Sequence, residues 1–353
     1  MQNTNLFVTD PDIERCRSQW PDLKAVYAGC KLLAGLDLQG NFHYHSTAYT
    51  YYRSKYWDNL VMMAPDKDHT GVLFGLKTDG TCVVSKDPFA GYESYSPAYN
   101  STRLGNDGFS SLLKKIHSVE NIIQIAVSGS LFLALDRQGK VHPRRYLWEN
   151  SFDRWGRDSV QFQIEAIESW ENIRRILLAE RDIVIAQKNS GELVTAGYTN
   201  DLYGTFGETA FRCLQDYELI DACSFCGGES FYYVFLDADG TLHNNRRPEK
   251  QRFRQVVGLD HAFLGLRTDG KIISFQGTLE ESVRNWPHMK QISIGRRSFD
   301  RYDDLFLAGL CDDETEKTIR QNKAPVSGRT EWKKSEPDVK KQAHINANRP
   351  HQV

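Results

Sequence analysis

The sequence predicts an all-β fold, a seven-bladed β-propeller of four-stranded antiparallel blades whose ring is closed by the N-terminal strand. Three observations predict it. A short segment ending in a glycine turn occurs seven times, a segment that mostly begins with an aromatic residue precedes each copy, and the composition turns polar after about residue 322. Repeats at intervals of roughly 30 to 60 residues are typical of propellers and solenoids.

The glycine-turn segment is clearest at residues 74–80, which read FGLKTDG. Apolar residues precede the turn in each copy, and β-formers such as those at 81–84 usually follow it. Gly-containing turns favour the positive φ of tight hairpins, so each copy predicts a β-hairpin. The other copies are at residues 34–40, 133–139, 185–191, 234–240 and 264–270, with a degenerate copy at 308–313.

The preceding segment consists of a leading residue, a polar turn and an apolar strand such as residues 122–127. Six of the seven leading residues are aromatic, and large rings mostly fill cores, so we interpret them as packing anchors between blades. The leading residues are Trp20, Trp57, Val119, Trp170, Tyr217, Phe253 and Trp286.

Each unit therefore supplies three predicted strands, and a variable fourth strand is expected before the next unit. The unit between Gly240 and Leu264 is short enough for three strands only. Candidates for the fourth strand are residues 49–56, 110–116, 162–167 and 276–283.

Closure of the ring is expected from the N-terminus. Residues 6–9 have no unit of their own, and the last unit lacks an outer strand. Pairing residues 6–9 with the last blade, beside residues 318–320, would protect that edge. Residues 1–322 are thus predicted to form one domain. Residues 323–353 carry seven Lys and Arg against three Asp and Glu with almost no apolar residues, which predicts a disordered polar and basic tail.

Composition excludes several classes of function. A formal net charge of −2 provides no overall positive field for nucleic acid or anionic lipid, so neither partner is expected. No apolar run is long enough to span a bilayer, and residues 1–10 lack the features of a signal peptide. The seven cysteines are then expected to be reduced thiols in a cytoplasmic, monomeric protein.

The repeated unit resembles the regulator of chromosome condensation family of propellers, over roughly residues 6–322. The strand at 122–127 and the hairpin at 74–84 carry the likeness, and residues 197–207 resemble the family's G-x-N-x-x-G-Q-L-G segment, with mismatches at Tyr203 and Thr205. Residues 98–105 are a fainter echo of that segment.

The resemblance implies a propeller that works by protein–protein contact. Members act as exchange factors for a small Ras-like GTPase, as chromatin binders or as secreted inhibitors of β-lactamase. Most units here lack the G-x-N-x-x-G segment, and the His-Thr pair before the hairpin is present only at His69 and Thr70. The activity of any particular member is therefore not implied.

No pattern predicts catalysis, a cofactor or a metal. Cys223 and Cys226 form a CxxC on a predicted strand, away from the helix N-terminus that lowers a thiol pKa, so a redox or metal role is a minor alternative. His43 and His45 share one face of a strand without a carboxylate in register, which indicates surface histidines. Asp79, Asp239 and Asp269 are explained by turn chemistry.

Two long insertions are the candidate binding elements, at residues 86–109 and 143–159. Both are rich in Tyr, Trp or Arg, the residue types enriched in binding hot spots. Both leave their blades opposite the glycine turns, so they are expected to form one composite surface; the alternative is that their rings pack on their own blades. The candidate residues are Tyr92, Tyr95, Tyr99, Arg144, Arg145, Tyr146, Trp148, Arg154, Trp155 and Arg157.

The sequence thus predicts a non-enzymatic module that binds a protein through loops on one face of the disc. The alternative is a propeller that binds a small molecule or glycan, with or without catalysis, in its central funnel. A cluster of carboxylates and aromatic rings at the funnel mouth would favour the alternative, and a flat face of Tyr, Trp and Arg would favour the protein binder.

Overall fold

The structure, a computed structural model, describes residues 5–15, 19–46, 57–65, 67, 73–84, 114–116, 118–128, 131–145, 164–180, 183–197, 199–227, 230–244, 251–276, 279–297 and 304–312. These residues form seven antiparallel sheets of three strands each, which confirms the all-β prediction. We number the sheets I to VII in chain order.

Strand bounds in sheets I to IV are as follows. Sheet I contains β2 (Leu23–Gly29), β3 (Leu32–Asp37) and β4 (Phe42–Ser46), and sheet II contains β5 (Leu60–Pro65), β6 (Leu73–Lys77) and β7 (Cys82–Val84). Sheet III contains β8 (Ile122–Ser128), β9 (Leu131–Asp136) and β10 (Val141–Arg145), and sheet IV contains β11 (Ile173–Glu180), β12 (Ile183–Lys188) and β13 (Leu193–Gly197).

Sheets V to VII complete the series. Sheet V contains β14 (Leu219–Gly227), β15 (Ser230–Asp237) and β16 (Leu242–His243), and sheet VI contains β17 (Phe253–Leu259), β18 (Ala262–Arg267) and β19 (Ile272–Gln276). Sheet VII contains β20 (Met289–Arg296), β21 (Leu305–Cys311) and the N-terminal strand β1 (Leu6–Val8). Helical segments are Pro11–Glu14, 114–116, 164–168, Asn200–Phe206, Glu208–Cys213, Leu214–Asp216 and Glu280–Val283.

The sheets follow one another in a cyclic order. The first strand of each sheet contacts the first strand of the next, from β2 and β5 through β17 and β20, and β20 contacts β2 in turn. The first strands therefore surround a central channel, and the third strands lie outermost. Antiparallel sheets repeated around an axis are the arrangement of a β-propeller.

The hydrophobic core lies between neighbouring sheets. Phe74 of β6 stacks on Phe132 of β9 with ring centroids 4.5 Å apart, and both rings are fully buried. Among the leading aromatic residues, Trp20, Trp170 and Phe253 are buried, which confirms their packing role. Tyr217 is the exception because it is 44% exposed.

Five of the glycine turns also connect their sheet to the next through a backbone hydrogen bond. The Gly80 carbonyl accepts a hydrogen bond from the Ile122 N–H at 3.1 Å, and φ at Gly80 is 81°. A Cβ on this glycine would lie 3.1 Å from the Asn121 Cα, so the close approach and the positive φ both favour glycine. The same bond recurs from Leu60 to Gly40, Ile173 to Gly139, Phe253 to Gly240 and Met289 to Gly270.

A second connection between sheets follows a β-bulge. The first strand of every sheet has a register irregularity next to its first residue. In three sheets the residue after the bulge is a glutamine whose side-chain amide accepts from the N–H and donates to the C=O of one residue in the next sheet. We call this contact the amide clamp. The clamps are Gln124 to Ile176, Gln255 to Ile292 and Gln291 to Val26.

The N-terminal strand pairs with the last sheet, as predicted. Leu6 lies opposite Leu310 of β21 and is 1% exposed. The Asn5 side chain crosses to sheet I, where it donates to the Leu23 carbonyl at 2.8 Å and accepts from the Leu23 N–H at 3.3 Å. This segment therefore contacts both the last and the first sheet. Residues 318–320 and the predicted tail lie outside the described residues.

The predicted fourth strands are wrong wherever the structure describes them. Residues 114–116, 164–168 and Glu280–Val283 are helical, and residues 49–56 lie outside the described residues. In the last helical segment Leu279 and Val283, four residues apart, are both buried, which is the spacing of one helix face. The segment that resembles the family's G-x-N-x-x-G motif is also helical, over Asn200–Phe206.

Deletion of residues 1–10 tests the role of β1. Removing this segment exposes the edge of β21 and the apolar surface under Leu6, so we expect the melting temperature to fall by several degrees or the protein to aggregate. Thermal unfolding followed by circular dichroism measures this. The matched control begins at residue 5 and keeps the whole strand; equal melting temperatures for the two variants would contradict the prediction.

Candidate functional site

The two ends of the sheets define two faces. The glycine turns lie on one face, and the links between the first and second strands of each sheet lie on the other, which we call the link face. Arg145, at the start of the second insertion, lies opposite Leu131 at the link end of β9. Val84, just before the first insertion, lies opposite Phe74, next to the link end of β6. Both insertions therefore depart from the link face.

Most of the predicted binding residues lie outside the described residues, and the composite surface stays a prediction. This applies to Tyr92, Tyr95, Tyr99, Tyr146, Trp148, Arg154, Trp155 and Arg157.

Arg144 and Arg145 are described, and the structure separates their side chains. They are consecutive residues of β10, so they project from opposite faces of the sheet. Arg144 lies 3.9 Å from the Glu168 carboxylate and donates to the Pro143 carbonyl at 2.8 Å. Their side chains thus leave the strand on opposite sides of sheet III, and the membership of both arginines in the composite surface stays a prediction.

Beside the channel on the link face, sequence reasoning missed a buried ion pair. Asp260, in the link of sheet VI, accepts two hydrogen bonds from Arg296 of sheet VII, at 2.6 Å from Nε and 2.5 Å from Nη2. Both side chains are 1% exposed. The Asp260 carbonyl also accepts from the Cys226 N–H of sheet V, and the Arg296 carbonyl accepts from the Lys31 N–H of sheet I at 2.6 Å. The pair thus links four sheets.

A second ion pair crosses the channel. Lys67, in the link of sheet II, lies 3.1 Å from Glu180 of sheet IV, which is not its neighbour in the cyclic order. The other Glu180 oxygen accepts from the Ser224 Oγ at 2.7 Å and from the Ser224 N–H at 3.1 Å. Burial acts to lower the pKa of Lys67, but the charge and hydrogen bond of Glu180 outweigh it and raise that pKa, so Lys67 is a cation.

A cavity of about 20 Å³ lies between these groups, lined by Lys67, Glu180, Ser224, Phe225 and Asp260 among others. That volume suits one water molecule, whereas pockets for small molecules measure about 300–1,000 Å³. The described residues at the link end of the channel therefore form an ionic cluster around this cavity.

The structure corrects the interpretation of His43. Its Nε2 lies 3.1 Å from the Asp37 carboxylate, so it does have an acidic partner. The same Asp-x₅-His pairing occurs in sheets III and V, and this repeated spacing was the signal in the sequence. Partial burial acts to raise the pKa of each Asp, but hydrogen bonds from the His and from turn N–H groups lower it overall. The pairs hold the glycine turns at Asp37–His43, Asp136–His142 and Asp237–His243.

Cys223 and Cys226 both lie on β14, as the sequence predicted. Cys223 is buried, and burial raises the pKa of its thiol well above the ordinary value, so it is a poor nucleophile. In the part of the chain that the structure describes, no group of three or more His, Cys, Asp or Glu could hold a metal. No helix among the described residues has the length and hydropathy to cross a membrane.

No protein-family model matches this chain, and no curated protein matches it. Solved structures that resemble it include Prp20p from Saccharomyces cerevisiae, described with its binding to Gsp1p and histones, at 12% identity and a TM-score of 0.38 over 89% of this chain and 74% of Prp20p. Human WBSCR16 has 11% identity and a TM-score of 0.46 over 82% of this chain and 87% of its own. The CRINKLY WD40 ectodomain of Arabidopsis thaliana ACR4 has 9% identity and a TM-score of 0.46, with 82% and 97% covered. Similarity at this level carries no argument about function.

Replacement of Asp260 by Asn tests the buried pair. Asn tolerates the positive φ of 48° at this position, so the backbone is kept while the change removes the charge and replaces one of the two acceptor oxygens by an N–H₂ donor. Leaving the Arg296 guanidinium buried without its counter-ion is expected to lower the free energy of unfolding by about 3–5 kcal/mol. Urea denaturation measures the change.

The matched control is Glu218→Gln, which removes the exposed ion pair between Arg174 and Glu218. Exposed pairs contribute at most about 1 kcal/mol, so this variant should unfold almost like the wild type. Equal losses in the two variants would mean that burial of the Asp260 pair has no energetic consequence.

Proposed function

We propose that this protein is a seven-bladed propeller, closed through its N-terminal strand, that acts as a non-enzymatic protein-binding module through its link face. The observation that supports the proposal most is the ionic cluster in the channel. Lys67 with Glu180 and Arg296 with Asp260 neutralise one another and leave room for about one water. A partner would then contact the rim of the link face, where both insertions depart.

The funnel alternative requires a carboxylate and aromatic cluster that is free to bind a ligand. Glu180, Asp260 and Phe225 do lie together at the link end of the channel. Each of the two carboxylates, however, is already in an ion pair, and Glu180 also accepts two hydrogen bonds from Ser224. A ligand would have to displace these contacts, so the protein-binding function is the better supported of the two.

The remaining parts of the proposal come from the sequence. With a net charge of −2, the partner is a protein rather than nucleic acid or a membrane, and the module acts as a cytoplasmic monomer. The Tyr, Trp and Arg side chains of the two insertions supply large contact areas and guanidinium groups, which favour a partner that presents carboxylates.

Affinity capture with two matched variants tests this function. The full chain is immobilised, and proteins recovered from a cell lysate are compared for the wild type, Trp148→Ala/Trp155→Ala and Arg137→Glu. Arg137 is an exposed residue in the glycine turn of the same hairpin that leads to the second insertion, so its variant perturbs the opposite face. We expect a specific partner to be lost at least tenfold with the tryptophan variant and retained with Arg137→Glu, since hot-spot truncations cost about 2 kcal/mol or more.

Circular dichroism melts must show that both variants remain folded. A partner that is lost with Arg137→Glu and retained with the tryptophan variant would move the binding site to the glycine-turn face. Binding that survives both variants would contradict the proposal.

A further inference from the structure

One backbone N–H in each first strand is oriented so that it needs a side-chain acceptor. It belongs to the residue after the clamp position, such as Ile176, whose N–H donates to the side-chain oxygen of Gln124 at 2.9 Å. The three glutamine clamps serve sheets IV, VII and I in this way. In sheets V and VI the acceptor is Asp221, and in sheet II the Tyr27 hydroxyl is hydrogen-bonded to the backbone of the equivalent residue, Met63.

Sheet III is the exception. Its equivalent residue is Ile125, which lies opposite Ala134 as Ile176 lies opposite Ala186, and it is 1% exposed. The clamp position of the preceding sheet is Met62, whose thioether sulfur is only a weak acceptor. Within the part of the chain that the structure describes, no side chain accepts from the Ile125 N–H.

The same holds for the whole junction between sheets II and III, which we call the unclamped junction. Its described residues share one hydrogen bond, from the Ile122 N–H to the Gly80 carbonyl at the glycine-turn end. They share no hydrogen bond or ion pair that involves a side chain. The rest of the contact is apolar and includes the stack of Phe74 on Phe132.

Each of the other six junctions has at least one hydrogen bond from or to a side chain. The Lys24 ammonium joins sheets I and II by donating to the Leu60 carbonyl at 3.2 Å, and the Gln187 amide joins sheets IV and V by accepting from the Leu219 N–H at 3.3 Å. The glutamine clamps and Asp221 join the remaining four. The unclamped junction therefore has the fewest directional contacts.

We propose that the unclamped junction is the hinge of the ring, where sheets II and III move relative to each other about the bond between Gly80 and Ile122. The role of the hinge rests on the proposed function. The first insertion leaves β7 of sheet II and the second leaves β10 of sheet III. Motion at this junction changes the distance between the two insertions at the link face, so a partner selects and fixes the arrangement that fits it.

Two physical reasons make opening at this junction less costly than opening elsewhere. Apolar contacts are non-directional, so the two sheets can shift while Phe74 and Phe132 stay in contact, whereas a shift at a glutamine clamp breaks two hydrogen bonds. The Ile125 N–H is buried without an acceptor among the described residues, and an opening that admits water supplies one. The ion pair of Lys67 with Glu180 joins sheet II to sheet IV, so it limits the amplitude of opening without holding sheet III.

Methyl relaxation dispersion on the full chain, labelled at isoleucine and methionine methyl groups, tests the hinge. We expect exchange on the microsecond to millisecond timescale at Ile125 and a flat profile at Ile176, which has a clamp. Met62→Gln keeps the length of the side chain and supplies the missing clamp, so the exchange contribution at Ile125 should fall by about fivefold or more. Equal profiles at the two isoleucines of the wild type, or exchange that is unchanged in the folded variant, would overturn the proposal.

Amide hydrogen exchange keeps the test decisive if Met62→Gln fails to fold. After correction for intrinsic rates, the Ile125 amide of the wild type should exchange about tenfold faster than the Ile176 amide, or more. The matched control is Gln124→Met, which removes the clamp between sheets III and IV and should raise exchange at Ile176 by about tenfold. Equal rates at the two amides of the wild type would rule the hinge out. Neither measurement uses a partner, so the hinge prediction can fail while the capture experiment succeeds, and the reverse.

Discussion

The first strands of neighbouring sheets lie side by side around the channel without forming a continuous ladder, so their backbone groups need other partners. Buried N–H and C=O groups are costly when unpaired, and this constraint shapes the whole repeat. The glycine turn supplies a carbonyl for the first N–H of the next strand, as Gly80 does for Ile122. The bulge then directs a side chain such as Gln124 to the next pair of groups. Each of these two contacts fixes the position of the next sheet relative to the one before it. Repeated around the channel, they produce the cyclic order of the sheets.

The contacts between sheets VII and I join the two ends of the series of sheets, so their partners are far apart in the sequence. Gln291 clamps Val26, and the Ser293 hydroxyl accepts from the Ala28 N–H at 2.8 Å, each across 265 residues. Such contacts form only after the intervening chain is in place, since loop closure opposes them. The N-terminal segment adds to this junction, because the Asn5 side chain, just before β1, donates to the Leu23 carbonyl of sheet I. The hairpins therefore form from contacts that are local in sequence, whereas the junction between sheets VII and I depends on contacts between distant residues.

The hairpins could be predicted from sequence because their signals are local. The turn at Gly80 needs a positive φ, and the strand before it is a continuous apolar run that is buried on both faces, so seven residues suffice. The helical segments resemble strands in the sequence because two apolar residues four apart, such as Leu279 and Val283, fit both the strand period and the helix period. The channel cluster left no signal at all. Lys67 and Glu180 are 113 residues apart, and only the cyclic packing brings them together.

The channel cluster holds the fold together separately from the proposed binding surface. A buried pair such as Asp260 with Arg296 adds little net stability compared with apolar packing, because desolvation offsets the attraction. Its geometry is demanding, however, and it links four sheets at one end of the channel. The link ends of the first strands are therefore held in register by groups that no ligand needs to contact. Insertions that depart from the outer strands β7 and β10 can then vary in sequence without disturbing the contacts that hold the sheets together.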